Sequence, residues 1–167
     1  MILERFYPRE WADSAYAIDW EAWYEKGIRG AIFDIDNTLV PHGAPADARA
    51  LALFARLHDM GMATCLLSNN KEPRVASFAA QVDSPYIYKA RKPAVANYKR
   101  AMERMKTARE NTLFVGDQLF TDVYGANRAG IYGILVKPID PKEEIQIVLK
   151  RYLEAVVLRF YKDSVRM

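Results

Sequence analysis

Cysteine is nearly missing from this chain. Cys65 is the only one, so no intramolecular disulfide can form, which fits a reducing compartment. Histidine is almost as scarce: His42 and His58 offer no recognisable cysteine-hydrolase setting, and Cys65, inside Ala63-Thr64-Cys65-Leu66-Leu67, reads as a small buried hydrophobe. Long apolar runs are absent too. None approaches the roughly 18–20 residues that span a bilayer. The opening Met1-Ile2-Leu3-Glu4-Arg5 has no hydrophobic stretch of the secretory kind, so a cytoplasmic location is expected. No G-x-x-x-x-G-K-[ST] loop occurs, which argues against a P-loop GTPase or kinase. Repeats, low-complexity tracts and linkers are also missing, so the 167 residues are expected to form a single domain.

What is present is ordinary globular composition with a slight basic excess. Hydrophobic residues make up 51% and charged residues 27%, which favours a folded chain over a disordered one. Net charge is +3. That suits an anionic ligand or surface, but it is far from a nucleic-acid-binding tail, and no nucleic-acid partner is expected.

Short apolar runs alternate with amphipathic stretches. Strands are predicted over 31–35, 63–67, 86–88, 112–115 and 133–136, and helices over 46–60, 72–82, 93–107 and 119–129. This alternation with brief connections predicts an α/β fold whose parallel sheet is covered on both faces. Asp47 is placed to start the first of these helices, Gly61 and Gly130 follow helix ends, and Pro73 and Pro93 sit near helix starts. Two flanks lie outside this core of residues 30–137. Residues 1–29 carry Phe6, Tyr7, Trp11, Tyr16, Trp20, Trp23 and Tyr24, which suit core or dimer packing and also suit a membrane interface. Residues 141–162 predict an amphipathic helix. Its apolar positions are Ile145, Val148, Leu149, Tyr152, Leu153, Val156, Val157 and Phe160. The plain expectation docks that stripe on the sheet; the sharper one sets a basic amphipathic helix against an anionic membrane or a partner.

Four polar clusters follow predicted strands. Asp34-Ile35-Asp36-Asn37-Thr38 places two carboxylates and a hydroxyl behind Ala31-Ile32-Phe33. Carboxylates so close repel, and a hard cation such as Mg²⁺ relieves them. Ser68-Asn69-Asn70 supplies donors suited to phosphoryl oxygens, although it also makes a good turn. Arg91-Lys92-Pro93 supplies a compact cation, although in isolation it reads as a solvated loop. Gly116-Asp117-Gln118-Leu119-Phe120-Thr121-Asp122 supplies two more carboxylates, with Gly116 read as allowing a tight turn.

In this order, Asp34, Thr38, Ser68, Lys92, Asp117 and Asp122 resemble the four motifs of the haloacid dehalogenase superfamily of phosphatases over about residues 30–137. The resemblance implies a Rossmann-like three-layer sandwich with a central parallel sheet. It also implies that the strands before Asp34 and Asp117 are neighbours. Asp34 is implied as the nucleophile that forms an aspartyl-phosphate, and Asp36 as the general acid and base, with its backbone carbonyl on Mg²⁺. Thr38 orients the nucleophile loop; Ser68 and Lys92 hold the phosphoryl group, with Asn69 assisting. Asp34, Asp36 and Asp117 are the metal positions. Asp122 holds Lys92 or a metal-bound water in preference to the metal.

The gaps from Thr38 to Ser68 and from Ser68 to Lys92 are each used by one helix and one strand, so no cap domain is expected and the site should be open. Gly27-Ile28-Arg29-Gly30, Leu39-Val40, Ala90 and the clusters above are similar to the capless YqeG family, a relative of the phosphatidylglycerophosphate phosphatases. That implies hydrolysis of phosphatidylglycerophosphate to phosphatidylglycerol, with peripheral contact at an anionic membrane. Arg74, Arg91, Arg128 and His42 are candidates for reading the head group. The alternative enzyme is a soluble phosphatase acting on a nucleotide, a sugar phosphate or a phosphorylated macromolecule. A non-catalytic interaction module is the alternative of another class; retention of the whole catalytic set argues against it.

Overall fold

A computed structural model describes residues 2–140 and 145–165. In chain order the elements are β1 (Glu10–Ala12), α1 (Trp20–Glu25), β2 (Gly30–Phe33), α2 (Ala48–Asp59), β3 (Ala63–Leu67), α3 (Glu72–Val82), β4 (Tyr86–Ile87), α4 (Val95–Met105), β5 (Thr112–Gly116), α5 (Tyr124–Ala129), β6 (Tyr132–Val136) and α6 (Ile145–Val165). The strands form one parallel sheet in the order β1-β6-β5-β2-β3-β4. β2 and β5 are neighbours, with Gly30 opposite Thr112 and Phe33 opposite Val115, as the resemblance implied.

Period-two alternation sorts the strand side chains onto two faces. Ala31, Phe33, Leu66, Leu113 and Val115 join the cluster under α1, α2 and α3, while Ile32, Cys65, Leu67 and Phe114 join the one under α4 and α5. Both faces are buried, which is why these strands read as continuous apolar runs. Trp20, Phe33 and Phe54 form an aromatic row with centroids 5.5 and 5.1 Å apart. Burying each of these rings contributes roughly 1.5–3 kcal/mol. The N-terminal flank is therefore partly core, and its Glu10–Ala12 segment is an edge strand paired with β6. That strand is too short and too polar to show alternation in the sequence.

Local signals mostly hold. Asp47 caps α2 by accepting from the Ala50 N–H, and Gly61 and Gly130 take positive φ behind α2 and α5. The predicted helix 119–129 is instead a π-type turn over Leu119–Val123 that runs into α5. Gly116 also differs from expectation. It does not adopt a left-handed conformation; a Cβ there would collide with the Asp122 carboxylate.

The C-terminal helix reverses its plain expectation. Its predicted start, residues 141–144, and the side chains of Ile145 and Val148 lie outside the described residues. Along the rest, Leu149, Tyr152, Leu153, Val156 and Phe160 are 65%, 76%, 56%, 46% and 53% exposed, whereas Glu154 and Val157 are buried. The helix docks through a mixed side, with Val157 packed on Leu119, Val123 and Leu135 beside Arg151 and Glu154, which find polar partners. Glu154 Oε1 accepts the Phe120 N–H at 3.3 Å, and Arg151 reaches Asp117. Among the described residues no helix is long and apolar enough to cross a membrane.

Candidate active site

The polar clusters meet at the carboxyl ends of β2, β3 and β5, where ligands of open parallel sheets bind. Asp34 follows β2, and its N–H donates to Val115 O at 3.0 Å, so the strand pairing itself sets its position. Asn37 then takes φ 62° and the turn closes through Asn37 N to Val40 O at 2.7 Å. This turn brings Thr38 beneath β5, where its Oγ1 donates to Asp117 Oδ1 at 3.0 Å. Gly116 makes room for Asp122, whose Oδ2 accepts the Gln118 N–H at 3.0 Å.

Lys92 lies at the centre. Asn69 clamps its backbone from both sides, accepting the Lys92 N–H at 2.8 Å and donating to Lys92 O at 3.4 Å. Its buried ammonium stands 2.8 Å from Asp34 Oδ1 and 2.6 Å from Asp122 Oδ1. Burial opposes that charge, but Asp122 and Asp34 outweigh it and push the lysine pKa above its ordinary value. Burial pushes Asp34 well above the usual carboxylate range, with Asp122 and Asp117 adding to the rise and Lys92 countering it. Burial, with the Asp122 charge behind it, raises Asp117 to about 6.

Carboxylate oxygens of Asp34, Asp117 and Asp122 all lie within 4.8 Å of one another. The three carboxylates outnumber the Lys92 ammonium and the Arg151 guanidinium by one charge, and all-oxygen donors suit a hard cation. In the structure Arg151 sits against this cluster, ion-paired to Asp117 Oδ2 and donating to Asp117 O at 2.7 Å.

Asp36 is separate. Its oxygens accept from Gly43 N at 2.8 Å, Arg74 at 2.9 Å and Asn70 Nδ2 at 3.0 Å. Burial works to raise its pKa, but the Gly43 N–H, Arg74 and Asn70 together hold it below the usual range. Its side chain is not part of the acidic triad, in which Asp122 stands instead.

A cleft of about 240 Å³ opens over this arrangement, lined by Asp34, Asp36, Ser68, Asn69 and Lys92 among others. Ser68 is buried at its floor, with Oγ accepting the Asn70 N–H at 3.1 Å. Of the residues weighed for the head group, His42 lines the cleft 4.0 Å from Asp36. Arg74 is spent on Asp36, Arg91 faces a neighbouring groove, and Arg128 lies outside, donating to Pro93 O at 3.3 Å. Arg151 and the Asp36–Arg74 pair went unread, because nothing local in the sequence ties residue 151 to 117 or 74 to 36. Tyr98 was missed likewise. Its hydroxyl donates to the carbonyls of Thr121 and Asp122 at 2.9 and 3.1 Å and steadies the π-type turn.

Comparison with known proteins bears on the fold and the family. A HAD-hydrolase-like family model matches residues 89–138. The probable phosphatase YqeG of Bacillus subtilis is 36% identical over 163 residues, covering 97% of this chain and 95% of that protein. The phosphatidylglycerophosphate phosphatase 1, chloroplastic/mitochondrial, of Arabidopsis thaliana is 28% identical over 85% of this chain, which spans only 44% of that longer protein. The cobalt-bound deoxy-D-mannose-octulosonate 8-phosphate phosphatase of Haemophilus influenzae shares the fold, with a TM-score of 0.51 at 15% identity over 68% of this chain and 80% of that one. The chain belongs to the family of YqeG, among the haloacid-dehalogenase-like phosphatases.

Proposed function

We propose that this phosphatase is an Mg²⁺-dependent phosphomonoester hydrolase that works through an aspartyl-phosphate and converts phosphatidylglycerophosphate to phosphatidylglycerol. The observation that carries the chemistry is the buried Asp34–Lys92–Asp122 arrangement beneath an open cleft. Lys92 ties down Asp34 Oδ1, which leaves Oδ2 to attack phosphorus. The ester oxygen leaves with the bonding pair and takes a proton from Asp36. Water then attacks the aspartyl-phosphate, gives its proton to Asp36, and releases inorganic phosphate and free Asp34. Ser68 and Lys92 stabilise the phosphoryl oxygens during both transfers. Asp34, Asp117 and the Asp36 carbonyl would hold the metal, which when bound supplies charge neutralisation between the carboxylates and the incoming phosphate.

The lipid substrate is supported by the named activity of the Arabidopsis relative. Peripheral contact with an anionic bilayer, at the cytoplasmic face, is part of the same reading. The exposed face of α6 offers Leu149, Tyr152, Leu153, Val156 and Phe160, with Arg159 and Lys162 exposed nearby. The α6 residue Lys150 reaches Gln118, which lines the cleft, so a bilayer on this face would lie close to the opening.

The test is phosphate release from phosphatidylglycerophosphate vesicles, nucleotides and sugar phosphates, with and without Mg²⁺ and with Asp34→Asn as the blank. Preference for the vesicles is expected; equal or better turnover of a soluble ester would overturn the lipid assignment.

A further inference from the structure

The loop that delivers Lys92 to the cleft lines a second hollow on its other side. Lys89 and Arg91, together with Arg100 and Arg104 of α4, line a groove of about 700 Å³ along the free edge of β4. Glu72 is its only carboxylate. Among the described residues, none of these four cations stands within 4.0 Å of a carboxylate oxygen. Some exposed cations elsewhere pair, Arg49 with Asp47, Arg56 with Glu21, Arg109 with Glu110 and Lys137 with Asp13, while others such as Lys26, Lys71 and Lys99 do not; what sets these four apart is that they line one groove.

The groove is also assembled against local preferences. Arg100 and Arg104 sit four residues apart on one helix, where like charges repel. Lys89 and Arg91 both hold positive φ, 43° and 52°, a conformation that non-glycine side chains adopt at a cost and that clusters at functional sites. The loop is pinned in this form from the cleft side, by Lys89 N to Asn70 O at 2.9 Å and by Asn69 on Lys92. Arg104 is aimed by its bond to Tyr86 O. Two cations of this loop and two of α4, none paired with a carboxylate, make a site for an anion, and guanidinium groups favour the paired oxygens of a phosphate.

We propose that this groove is a second anion subsite that takes a phosphodiester while the phosphomonoester occupies the cleft. Arg91 and Lys92 are adjacent, with Cα atoms about 3.8 Å apart, so the two subsites share one wall. The diester is either the substrate's own, one short linker from the monoester, or that of neighbouring lipids in an anionic bilayer. The role in turnover rests on the phosphatase reading above; the binding does not.

The binding arm uses short-chain phosphatidylglycerol below its micelle concentration, a probe with the diester and no monoester. Saturable NMR shifts are expected at residues 88–91 and 100. Lys89→Gln with Arg100→Gln should weaken that binding roughly tenfold, and Glu72→Gln should tighten it severalfold. The turnover arm compares kcat/KM for short-chain phosphatidylglycerophosphate with that for glycerol 3-phosphate. The double variant should lower this ratio about tenfold, mainly through KM, whereas Arg49→Gln with Arg109→Gln, which removes equal charge elsewhere, should leave it unchanged. Loss of phosphatidylglycerol-vesicle binding with the short-chain turnover ratio intact would assign the diester to the surrounding bilayer. Lost diester binding in an enzyme that hydrolyses neither compound would keep the subsite and sink the phosphatase reading. Wild-type diester affinity in the double variant, or no response to Glu72→Gln, would overturn the proposal.

Discussion

Asp34 and Asp36 are two residues apart on one loop, yet their surroundings push them in opposite directions. Asp34 is buried with Asp117 and Asp122 nearby, and its pKa rises despite Lys92. Asp36 is half-buried, takes three hydrogen bonds including one from Arg74, and its pKa falls. The difference comes from the chain around them. β2 ends at Phe33, so Asp34 stays at the carboxyl end of an interior strand, whereas Asp36 reaches Gly43 of the following loop, Asn70 ahead of α3 and Arg74 within it. Two carboxylates whose environments separate their pKa values are suited to separate tasks. Asp34 is tethered by Lys92, but it must be ionised to attack, and a bound cation would supply the charge that offsets its burial. Asp36 is anionic at rest, ready to accept the proton of water; to donate one it must first be loosened from Arg74, which an incoming phosphate would do by competing for the guanidinium.

Exchanging each carboxylate for its amide gives the largest effects and the most direct way to break the comparison. Asp34→Asn should abolish both phosphate release and covalent labelling by substrate, because the amide is a poor nucleophile of nearly the same shape. Asp36→Asn should slow turnover by about 10²–10⁴-fold, the usual worth of a positioned acid–base group, while still taking up label on Asp34. Trapping of labelled enzyme followed by peptide mapping distinguishes them. Label retained in Asp34→Asn, or lost in Asp36→Asn, would exchange or dissolve the two roles.

Removing the ion that separates the environments comes next. Lys92→Met leaves Asp34 and Asp122 buried without their shared partner, and breaking such a pair costs about 3–5 kcal/mol. A carboxylate whose folded pKa is raised loses stability as pH climbs from its unfolded value, near 4, through the folded one. The variant should therefore be closest to wild type in acid and fall away towards pH 7. Urea midpoints across that range test this; a deficit independent of pH would mean that Lys92 packs more than it pairs.

The sequence made the strand-end clusters legible because each motif residue is local to its strand. Asp34 and Asp117 stood out as polar exits from apolar runs, Ser68 and Lys92 gained their roles only from the family resemblance, and a parallel sheet brings those exits together. Contacts between distant segments were not legible. Arg74 reaches Asp36 across 38 positions and Arg151 reaches Asp117 across 34, with no periodicity to announce either. The orientation of α6 differs from its stripe for the same reason: of the described stripe residues Val157 docks on Leu119, Val123 and Leu135, and the polar contacts of Arg151 and Glu154 beside it turn the other described stripe positions outward. β1 was invisible because three residues carry no alternation.

The smallest effect sharpens the comparison most. Arg74 lies 2.9 Å from Asp36, its Nε is buried without a partner, and the pair is mostly shielded from water. Arg74→Gln removes the positive charge but can keep a hydrogen bond, so the Asp36 pKa should rise toward the ordinary value near 4. A carboxylate with a depressed pKa contributes stability above its unfolded pKa and loses it as pH falls through the folded one. The variant should accordingly lose stability near neutral pH and approach wild type in strong acid. If protonated Asp36 is the acid that assists the leaving group, any limb of the kcat/KM profile governed by it should shift to higher pH in Arg74→Gln, with turnover changed less than in Asp36→Asn. Carboxyl-carbon NMR titration of Asp36 reads the cause directly. An Asp36 that titrates identically in both proteins would mean that Gly43 and Asn70 alone hold it anionic, and that the contrast with Asp34 is made by hydrogen bonds alone.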